Sequence, residues 1–265
     1  MDVDFAELQD IHHTWGQDVW IKAKHTIDPS IILIESLLKS IYFTYAYSQA
    51  KEITQEQLTS VESSFKTLSS PPAFYLNDSL QSLHVTEFLA RHGYRLTSQD
   101  AWMLYNPKHS VKISSYVNVT DIDIRTFEDF SAVLSVVFAE FDQNTRYLEI
   151  CKKSLIRKPD NGIKDFSSTF YVIHDESTPA SGAAMFYSVE KNFAYLHNAG
   201  TLEAYRGKGY QSALINHRVN LALSLGISRI YSIVSRGSTS WANMIRCGLD
   251  EAQRPIICSK KLAVA

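Results

Sequence analysis

The sequence predicts an α/β (α+β) fold: a mixed, largely antiparallel sheet flanked by helices, with a helix-rich N-terminal lobe. The C-terminal half alternates short strand-like runs with helices and contains a strand–helix–strand sequence. Eight of the ten glycines lie between Gly162 and Gly248, so tight turns are concentrated in that half. The N-terminal half instead shows apolar residues at helical spacing.

The N-terminal half is predicted to contain four helices and two strands. The Pro71-Pro72 pair breaks the helical pattern, and Gly93 ends the last helix. The predicted helices cover Phe5–Lys22, Ser30–Gln49, Thr54–Thr67 and a stretch from a cap at Asn77 or Asp78 to His92, and the predicted strands cover Ala73–Leu76 and Ala101–Tyr105.

A turn-like stretch from Asn106 to His109, followed by Ile113–Val117, predicts a linker between two domains, residues 1–112 and residues 113–265. In the second domain the predicted helices cover Phe127–Phe141, Lys208–Leu225 and Ser238–Arg246, and the predicted strands cover Phe170–Ile173, Ala183–Val189, Phe193–Ala199, Arg229–Ser235 and Arg254–Ser259.

Composition and cysteine spacing narrow the class of protein. The net charge of −2 gives no electrostatic footprint for nucleic acid. Three cysteines without CxxC spacing predict neither a disulfide framework nor a metal site, and Cys247 is expected to pack as a small apolar residue. His12 and His13 lack a third ligand at metal spacing, so we expect them on the surface or in helix packing.

The chain is expected to be cytoplasmic. Its first ten residues are acidic and mixed, unlike a signal peptide, and the apolar stretch Ile31–Phe43 is too short to span a bilayer. We therefore expect neither a membrane partner nor a nucleic-acid partner.

A weak internal repeat links the two halves at an offset of 155 residues. The helix–glycine pattern Glu87–Tyr94 recurs as Ala242–Leu249, with Gly93 matched to Gly248. Either the chain carries two copies of one unit, or two similar segments agree by chance. A glycine loop precedes the helix in the second copy only, so only that copy is predicted to hold phosphate.

Between Thr201 and Gly226 a strand runs into a glycine-containing loop that opens a helix. Unpaired backbone N–H groups and the positive end of the helix dipole converge at such a point, which favours phosphate binding, and Arg206 and Lys208 add positive charge. The GxxxxGK[ST] spacing of a Walker A loop is absent, and a GxGxxG fingerprint would need glycine at Ser212.

The residues Arg206–Gln211, Arg-Gly-Lys-Gly-Tyr-Gln, resemble the acyl-CoA pyrophosphate loop of the GNAT N-acetyltransferase superfamily, Arg/Gln-x-x-Gly-x-Gly/Ala. The resemblance covers roughly Val117–Lys261, and Pro72–Tyr105 loosely resembles the tail of a second, degenerate copy. It implies a GNAT-like fold and the binding of acetyl-CoA or a related acyl-CoA. The residues implied in cofactor binding are Ala199, Gly200, Thr201, Arg206, Gly207, Lys208, Gly209, Tyr210, Gln211, Ser212, Ser240 and Asn243.

Several positions depart from the family pattern. Gln211 replaces the last Gly/Ala of the loop, where its side chain is expected to crowd the pyrophosphate. Met244 stands where the family's usual Tyr protonates the leaving thiolate, and methionine has no proton to donate. In the same segment Ser240 matches the pattern, whereas Gly237 and Leu249 replace Asn and Phe.

Acyl transfer to an amine calls for a base that removes the ammonium proton, unless solvent does so. Strand alternation predicts that Tyr195, His197 and Ala199 share one face of the strand before the loop. His197 is the candidate base because an ordinary histidine titrates near pH ~6.5, although a lone strand histidine is often structural. Tyr195 or Tyr231 is the candidate acid, with little to choose between them, and Glu190, in a turn, is a weaker candidate for the base.

The predicted function is transfer of an acetyl group from acetyl-CoA to the primary amine of an unidentified acceptor, by direct attack in a ternary complex. Backbone N–H groups near Ala199–Thr201 are expected to polarise the thioester carbonyl. Two alternatives remain open at this point. The chain is a non-catalytic CoA-binding or protein-interaction module, as Met244 suggests, or a structural protein whose glycine loop arises by chance.

Overall fold

The computed structural model describes residues 4–38, 40–77, 83–109, 117–139, 146–149, 151–152 and 166–261. The chain divides into two compact units. The first unit comprises residues 1–101 and 252–265, and the second comprises residues 102–251. Among the described residues, no helix combines the length and apolar character needed to cross a membrane.

The first unit combines helices and strands, and the strands are the more numerous of its described elements. Its elements are α1 (Phe5–Val19), β1 (Ile21–Asp28), β2 (Ile31–Ser36), β3 (Tyr45–Ser48), α2 (Gln55–Leu68), β4 (Ala73–Asn77), α3 (Leu83–Arg91), β5 (Arg95–Tyr105, which continues into the second unit) and β12 (Pro255–Ser259). The strand order is β1-β2-β3-β4-β12-β5, and among these described pairs only β3–β4 is parallel.

The prediction of a helix-rich N-terminal lobe was wrong. The predicted helix over Ser30–Gln49 is replaced by β2 and β3, and the end of the predicted first helix belongs to β1. The reason is local composition: Ile31, Ile32 and Ile34 are β-branched, and the segment before Gln49 is rich in aromatic residues. Such side chains favour the pleated, half-buried surface of a sheet over a helix.

The second unit carries the glycine loop. Its labelled elements are β6 (Thr120–Ile122), α4 (Phe127–Val137), β7 (Ser167–Asp175), β8 (Thr178–Ser188), β9 (Phe193–Thr201), α5 (Tyr210–Ser224), β10 (Arg229–Ser235), α6 (Thr239–Arg246) and β11 (Leu249–Gln253, which continues into the first unit). Residues 146–149 and 151–152 are also helical. The strand order is β10-β9-β8-β7-β6, with β9–β10 parallel and the other described pairs antiparallel. The prediction of a mixed, largely antiparallel sheet is confirmed.

The predicted repeat corresponds to equivalent elements in the two units. The offset of 155 matches Gln55, the first residue of α2, with Tyr210, the first residue of α5. Helix α2 follows β3 and leads to its parallel partner β4, and α5 joins the parallel pair β9 and β10 in the same way. This agreement supports two copies of one unit over a chance match.

Some element boundaries differ from the prediction. Asn77 is the last residue of β4 and not a helix cap, and α3 begins at Leu83. The alternative cap at Asp78, residues 113–116 of the predicted linker and residues 140–141 of the predicted α4 lie outside the described residues. Strand β11 was not predicted because only its first residue is buried, so it shows no apolar alternation.

Helix α4 packs on the second sheet through phenylalanine side chains. Phe130 is fully buried and lies 5.0 Å from Phe170 of β7 between ring centroids, and Phe127 lies 5.7 Å from the same ring. Edge-to-face contacts of this kind add to the free energy gained by burying the rings. The cluster fixes α4 against the sheet beside the end of β9.

Candidate functional site

The parallel strands β9 and β10 separate where the candidate site begins. Their recorded pairs run from Phe193–Arg229 to Leu196–Ser232, although β9 continues to Thr201 and β10 to Ser235. The described residues show no further pair beyond Leu196–Ser232. The last five residues of β9, His197 to Thr201, therefore lie beyond the ladder with β10 and are available for a ligand on that edge.

A β-bulge interrupts β9 at this point. Ala184 of β8 pairs with His197 and Gly182 pairs with Gly200, so three steps on β9 match two on β8. Asn198 lies within the bulge and has φ 49°, a left-handed conformation that asparagine tolerates better than most residues. The predicted alternation therefore fails, because Gly200, and not Ala199, lies on the same face of the strand as His197.

The glycine loop is shaped for close approach by a ligand. Gly207 and Gly209 both have φ +81°, and a Cβ built on either would meet no atom within 4 Å. Gly209 is the N-cap of α5, and no side-chain cap is formed there among the described residues. The first N–H groups of α5, including those of Tyr210, Gln211 and Ser212, therefore face an open position at the positive end of the helix dipole.

The two loop cations differ in their partners. Lys208 Nζ forms an ion pair with Asp175 at the end of β7 and lies 5.4 Å from the centroid of the Tyr205 ring. Hydrogen bonds from Lys208 and Tyr210 lower the pKa of the Asp175 carboxyl. Arg206 is exposed, and among the described residues its side chain makes one long hydrogen bond, 3.4 Å from Nε to the Thr201 carbonyl oxygen. Arg206 is therefore the loop cation whose charge is less engaged within the protein.

The Gln211 side chain contacts two other predicted cofactor-binding residues, Ser240 and Asn243. Its Nε2 donates to Ser240 Oγ at 2.8 Å, and its Oε1 accepts from Asn243 Nδ2. Arg246 in turn donates to Asn243 Oδ1. This amide relay ties the first turn of α5 to α6, so the Gln211 side chain is held against α6 instead of lying free over the loop.

We therefore expect Gln211→Ala to change stability more than cofactor affinity. Losing the two hydrogen bonds should cost about 1–3 kcal/mol of unfolding free energy, since Asn243 is buried and loses a partner. Acetyl-CoA affinity should stay within about threefold, because α5 would keep its backbone donors. Thermal unfolding and titration calorimetry test this, and a loss of affinity above tenfold would show that the amide itself contacts the ligand.

The candidate catalytic residues are buried next to the bulge. The rings of Tyr195 and His197 stack with centroids 5.6 Å apart, and Tyr195 also lies 5.7 Å from Trp102. His197 is 9% exposed and Tyr195 1% exposed. A change of access, or a chain of water molecules, is therefore needed for either side chain to exchange a proton with an acceptor.

A second polar cluster, formed by Tyr147 and Cys151, contacts the bulge. The Tyr147 hydroxyl donates to Asn198 Oδ1, and Asn198 Nδ2 lies 3.6 Å from Cys151 Sγ. Burial raises the pKa of Cys151 to about 12, so the thiol stays protonated and is a poor nucleophile. This cluster thus fixes the bulge through neutral groups.

The positions that raised doubt about catalysis are also buried. Met244 is 2% exposed, so it occupies a packed position where the family's tyrosine is expected. Tyr231 accepts a hydrogen bond from Arg229 Nε at 2.8 Å. Burial raises the pKa of the Cys247 thiol, consistent with its predicted role as a packed residue. His13 of α1 is buried, and its ring lies 3.1 Å from the Tyr45 hydroxyl of β3. It therefore takes part in helix packing, which is one of the two positions that we expected from the sequence.

The equivalent helix end in the first unit is closed by its own side chains. Thr54 Oγ1 accepts from the Gln57 N–H at 3.2 Å, and Gln57 Oε1 accepts from the Thr54 N–H at 2.9 Å. This capping box satisfies N–H groups that the uncapped α5 leaves open. It supports the expectation that only the second copy holds phosphate.

Sequence reasoning missed three residues of the site: Asp175, Asn198 and Arg218. Arg218 could have been identified from the sequence, because it follows Leu214 by four residues and therefore lies on the apolar face of α5. Asn198 and Asp175 could not have been identified in this way. A bulge depends on strand register, and a long-range ion pair depends on segments that are distant in the sequence.

Comparison with known proteins identifies a family match in the C-terminal region. Residues 132–249 match the family described as Acetyltransferase (GNAT) family. No curated protein sequence matches the chain.

Solved structures resemble nearly the whole chain at low sequence identity. A GCN5-related N-acetyltransferase from Kribbella flavida is 13% identical with a TM-score of 0.70, covering 99% of this chain and 97% of that chain. One from Sphaerobacter thermophilus is 12% identical with a TM-score of 0.61, covering 95% and 84%. A tandem GNAT protein from the clavulanic acid biosynthesis pathway is 8% identical with a TM-score of 0.60, covering 89% and 80%. The C-terminal region, residues 132–249, therefore belongs to the GNAT acetyltransferase family, and the chain as a whole has the fold of GNAT proteins.

Proposed function

We propose that this protein transfers an acetyl group from acetyl-CoA, or from a related acyl-CoA, to the primary amine of an acceptor. The observation that carries the proposal is the uncapped N-terminus of α5 behind two left-handed glycines, next to the point where β9 and β10 separate. The loop would bind the pyrophosphate, and the free edge of β9 would take the pantetheine arm.

Three groups of residues would have separate roles in binding acetyl-CoA. Backbone N–H groups of Gly207 to Ser212 would hold the pyrophosphate, with Arg206 adding positive charge. Backbone N–H groups of Ala199–Thr201 would receive the thioester carbonyl oxygen. Ser240 and Asn243 would act mainly through the amide relay that shapes the first turn of α5.

The reaction would proceed by direct attack. The neutral amine nitrogen bonds to the thioester carbonyl carbon, the carbon–sulfur bond breaks, and CoA leaves as a thiolate that takes up a proton. Before attack His197 would accept the ammonium proton, directly or through water. Tyr195 would then supply a proton to the thiolate and be reprotonated, through solvent, by the proton that the nitrogen loses as the amide forms. The buried thiol of Cys151 gives no support for a covalent acyl-enzyme route.

The alternative is a non-catalytic CoA-binding or protein-interaction module in the cytoplasm. The buried Met244, in place of a proton donor, is the observation that favours it. Release of CoA from acetyl-CoA in the presence of any amine from a broad panel separates the two, because a binding module releases none.

Titration calorimetry with acetyl-CoA is the first test of the proposal. We expect saturable binding at one site per chain, since the capping box closes the equivalent site of the first unit. Absence of binding would contradict acetyl transfer and CoA binding and would favour the protein-interaction module, whereas two sites per chain would contradict the assignment of the loop as the sole phosphate site.

Arg206→Ala should weaken acetyl-CoA binding by about tenfold, the size of one charge-assisted hydrogen bond. Lys208→Ala should weaken it less, because Asp175 already neutralises Lys208. Both affinities are measured by calorimetry at fixed ionic strength. Equal affinity of wild type and Arg206→Ala would remove Arg206 from the site.

His197→Gln should lower the rate of acetyl transfer by about 100-fold or more if His197 is the base. The fall of the rate at acidic pH that reflects protonation of the base should disappear in the variant. Acetyl-CoA affinity serves as the control and should not change. An unaltered pH–rate profile would assign proton removal to solvent.

A further inference from the structure

Arg218, in the middle of α5, is a buried cation that cofactor binding does not explain. Its side chain is 0% exposed. Burial lowers the pKa of the guanidinium to about 10, so it is still protonated at neutral pH. Nη2 is buried and finds no hydrogen-bond partner among the residues that the structure describes. A cation buried in this way costs free energy, which suggests that its position serves another purpose.

The guanidinium bridges β8 and β9 at the start of the bulge. Nη1 donates to the Ala184 carbonyl oxygen at 2.8 Å and lies 3.3 Å from that of His197. These two residues are the pair after which the register shifts. Nε donates to the Leu214 carbonyl oxygen of the same helix at 2.9 Å, which fixes the plane of the guanidinium.

The His197 carbonyl and the Asn198 N–H belong to one peptide unit. A positive charge on the carbonyl polarises that unit and makes its N–H a stronger donor. Asn198 is itself held by Tyr147 and by Cys151. The bulge is therefore fixed by independent contacts from α5 and from Tyr147 and Cys151.

Resting on the proposed function, we propose that Arg218 is a positioning residue. It holds the carbonyls of Ala184 and His197 and thereby orients the backbone N–H groups beyond His197 toward the thioester carbonyl oxygen. The proposal assigns to α5 a second task besides phosphate binding: to set the geometry of the bulge.

The test compares acetyl-CoA with CoA, which shares the nucleotide and the pantetheine arm but lacks the thioester carbonyl. We expect wild type to bind acetyl-CoA more tightly than CoA. The preference is the ratio of the CoA dissociation constant to the acetyl-CoA dissociation constant. In Arg218→Met this ratio should fall at least about fivefold, while the CoA dissociation constant stays within about twofold of the wild-type value. Arg218→Lys should lose at least about half of the preference, because an ammonium cannot reproduce the planar fork. Arg125→Met, an exposed arginine paired with Asp123, is the control and should keep the wild-type preference.

The outcomes separate the two proposals. If wild type binds neither compound, the proposed function fails. If wild type prefers acetyl-CoA and Arg218→Met keeps that preference, only the positioning role is overturned. Should Arg218→Met not fold, Arg218→Lys decides, and an unchanged preference in that variant overturns the role.

Discussion

Gly209→Ala should reduce acetyl-CoA affinity by at least tenfold, or about 1.4 kcal/mol. Gly209 is the N-cap of α5 with φ +81°, and a Cβ there would project into open space where we expect the pyrophosphate to bind. An L-residue in this conformation also costs about 1–2 kcal/mol of unfolding free energy. The expected result is thus a large loss of binding together with a moderate loss of stability, measured by calorimetry and thermal unfolding.

Gly226→Ala is the matched control for this prediction. Gly226 follows the other end of α5 with φ +78°, and its Cβ would also meet no atom within 4 Å. The two variants should lose similar stability, because the same backbone strain is introduced in the same helix. Only Gly209→Ala should lose affinity, and an equal loss in both would mean that the effect comes from the helix as a whole.

Gly200→Ala should destabilise the protein by about 1–3 kcal/mol through overpacking. A Cβ at Gly200 would lie 2.5 Å from Val137 Cγ1 and 3.0 Å from Val137 Cβ, and a β-branched side chain at a helix end has little freedom to yield. Helix α4 would have to move away from the bulge. We therefore expect a lower melting temperature and weaker acetyl-CoA binding.

The double variant Gly200→Ala with Val137→Ala should recover most of both losses, because Val137→Ala removes the two γ-methyl groups that lie closest to the new Cβ. Gly182→Ala provides a milder comparison on the same face of the sheet, where the nearest atom, Phe130 Cδ2, is 3.2 Å away. Failure of the double variant to recover stability would show that the cost comes from the backbone of β9 and not from Val137.

The sequence was informative where local chemistry decides structure. The loop from Arg206 to Gly209 could be predicted because two glycines before a helix mark left-handed backbone and open N–H groups. The helix over Ser30–Gln49 was mispredicted because apolar spacing suggested a helix, whereas its β-branched and aromatic residues favoured β2 and β3. The bulge at Asn198 could not be predicted, since it depends on how β8 and β9 pair.

The candidate site likewise has some features that the sequence predicted and others that it could not predict. Met244 and Gln211 were recognised as departures, but the sequence could not tell that Gln211 is held by Ser240 and Asn243, which are about 30 residues away along the chain. The identities of the base and the acid stay predictions, because burial of His197 and Tyr195 is compatible with packing as well as with catalysis. The domain boundary at residues 112–113 also stays a prediction.

The return of β12 to the first unit limits how this chain can be divided. Strand β12 lies between β4 and β5 and buries Ile256 and Ile257 there. A fragment starting at residue 113 would keep β12 without either partner strand, and a fragment ending at residue 112 would leave β4 and β5 with facing open edges. Unpaired edges of this kind promote aggregation. Binding and activity are therefore to be measured on the undivided chain, and loss of function in a half-length fragment would not locate the site.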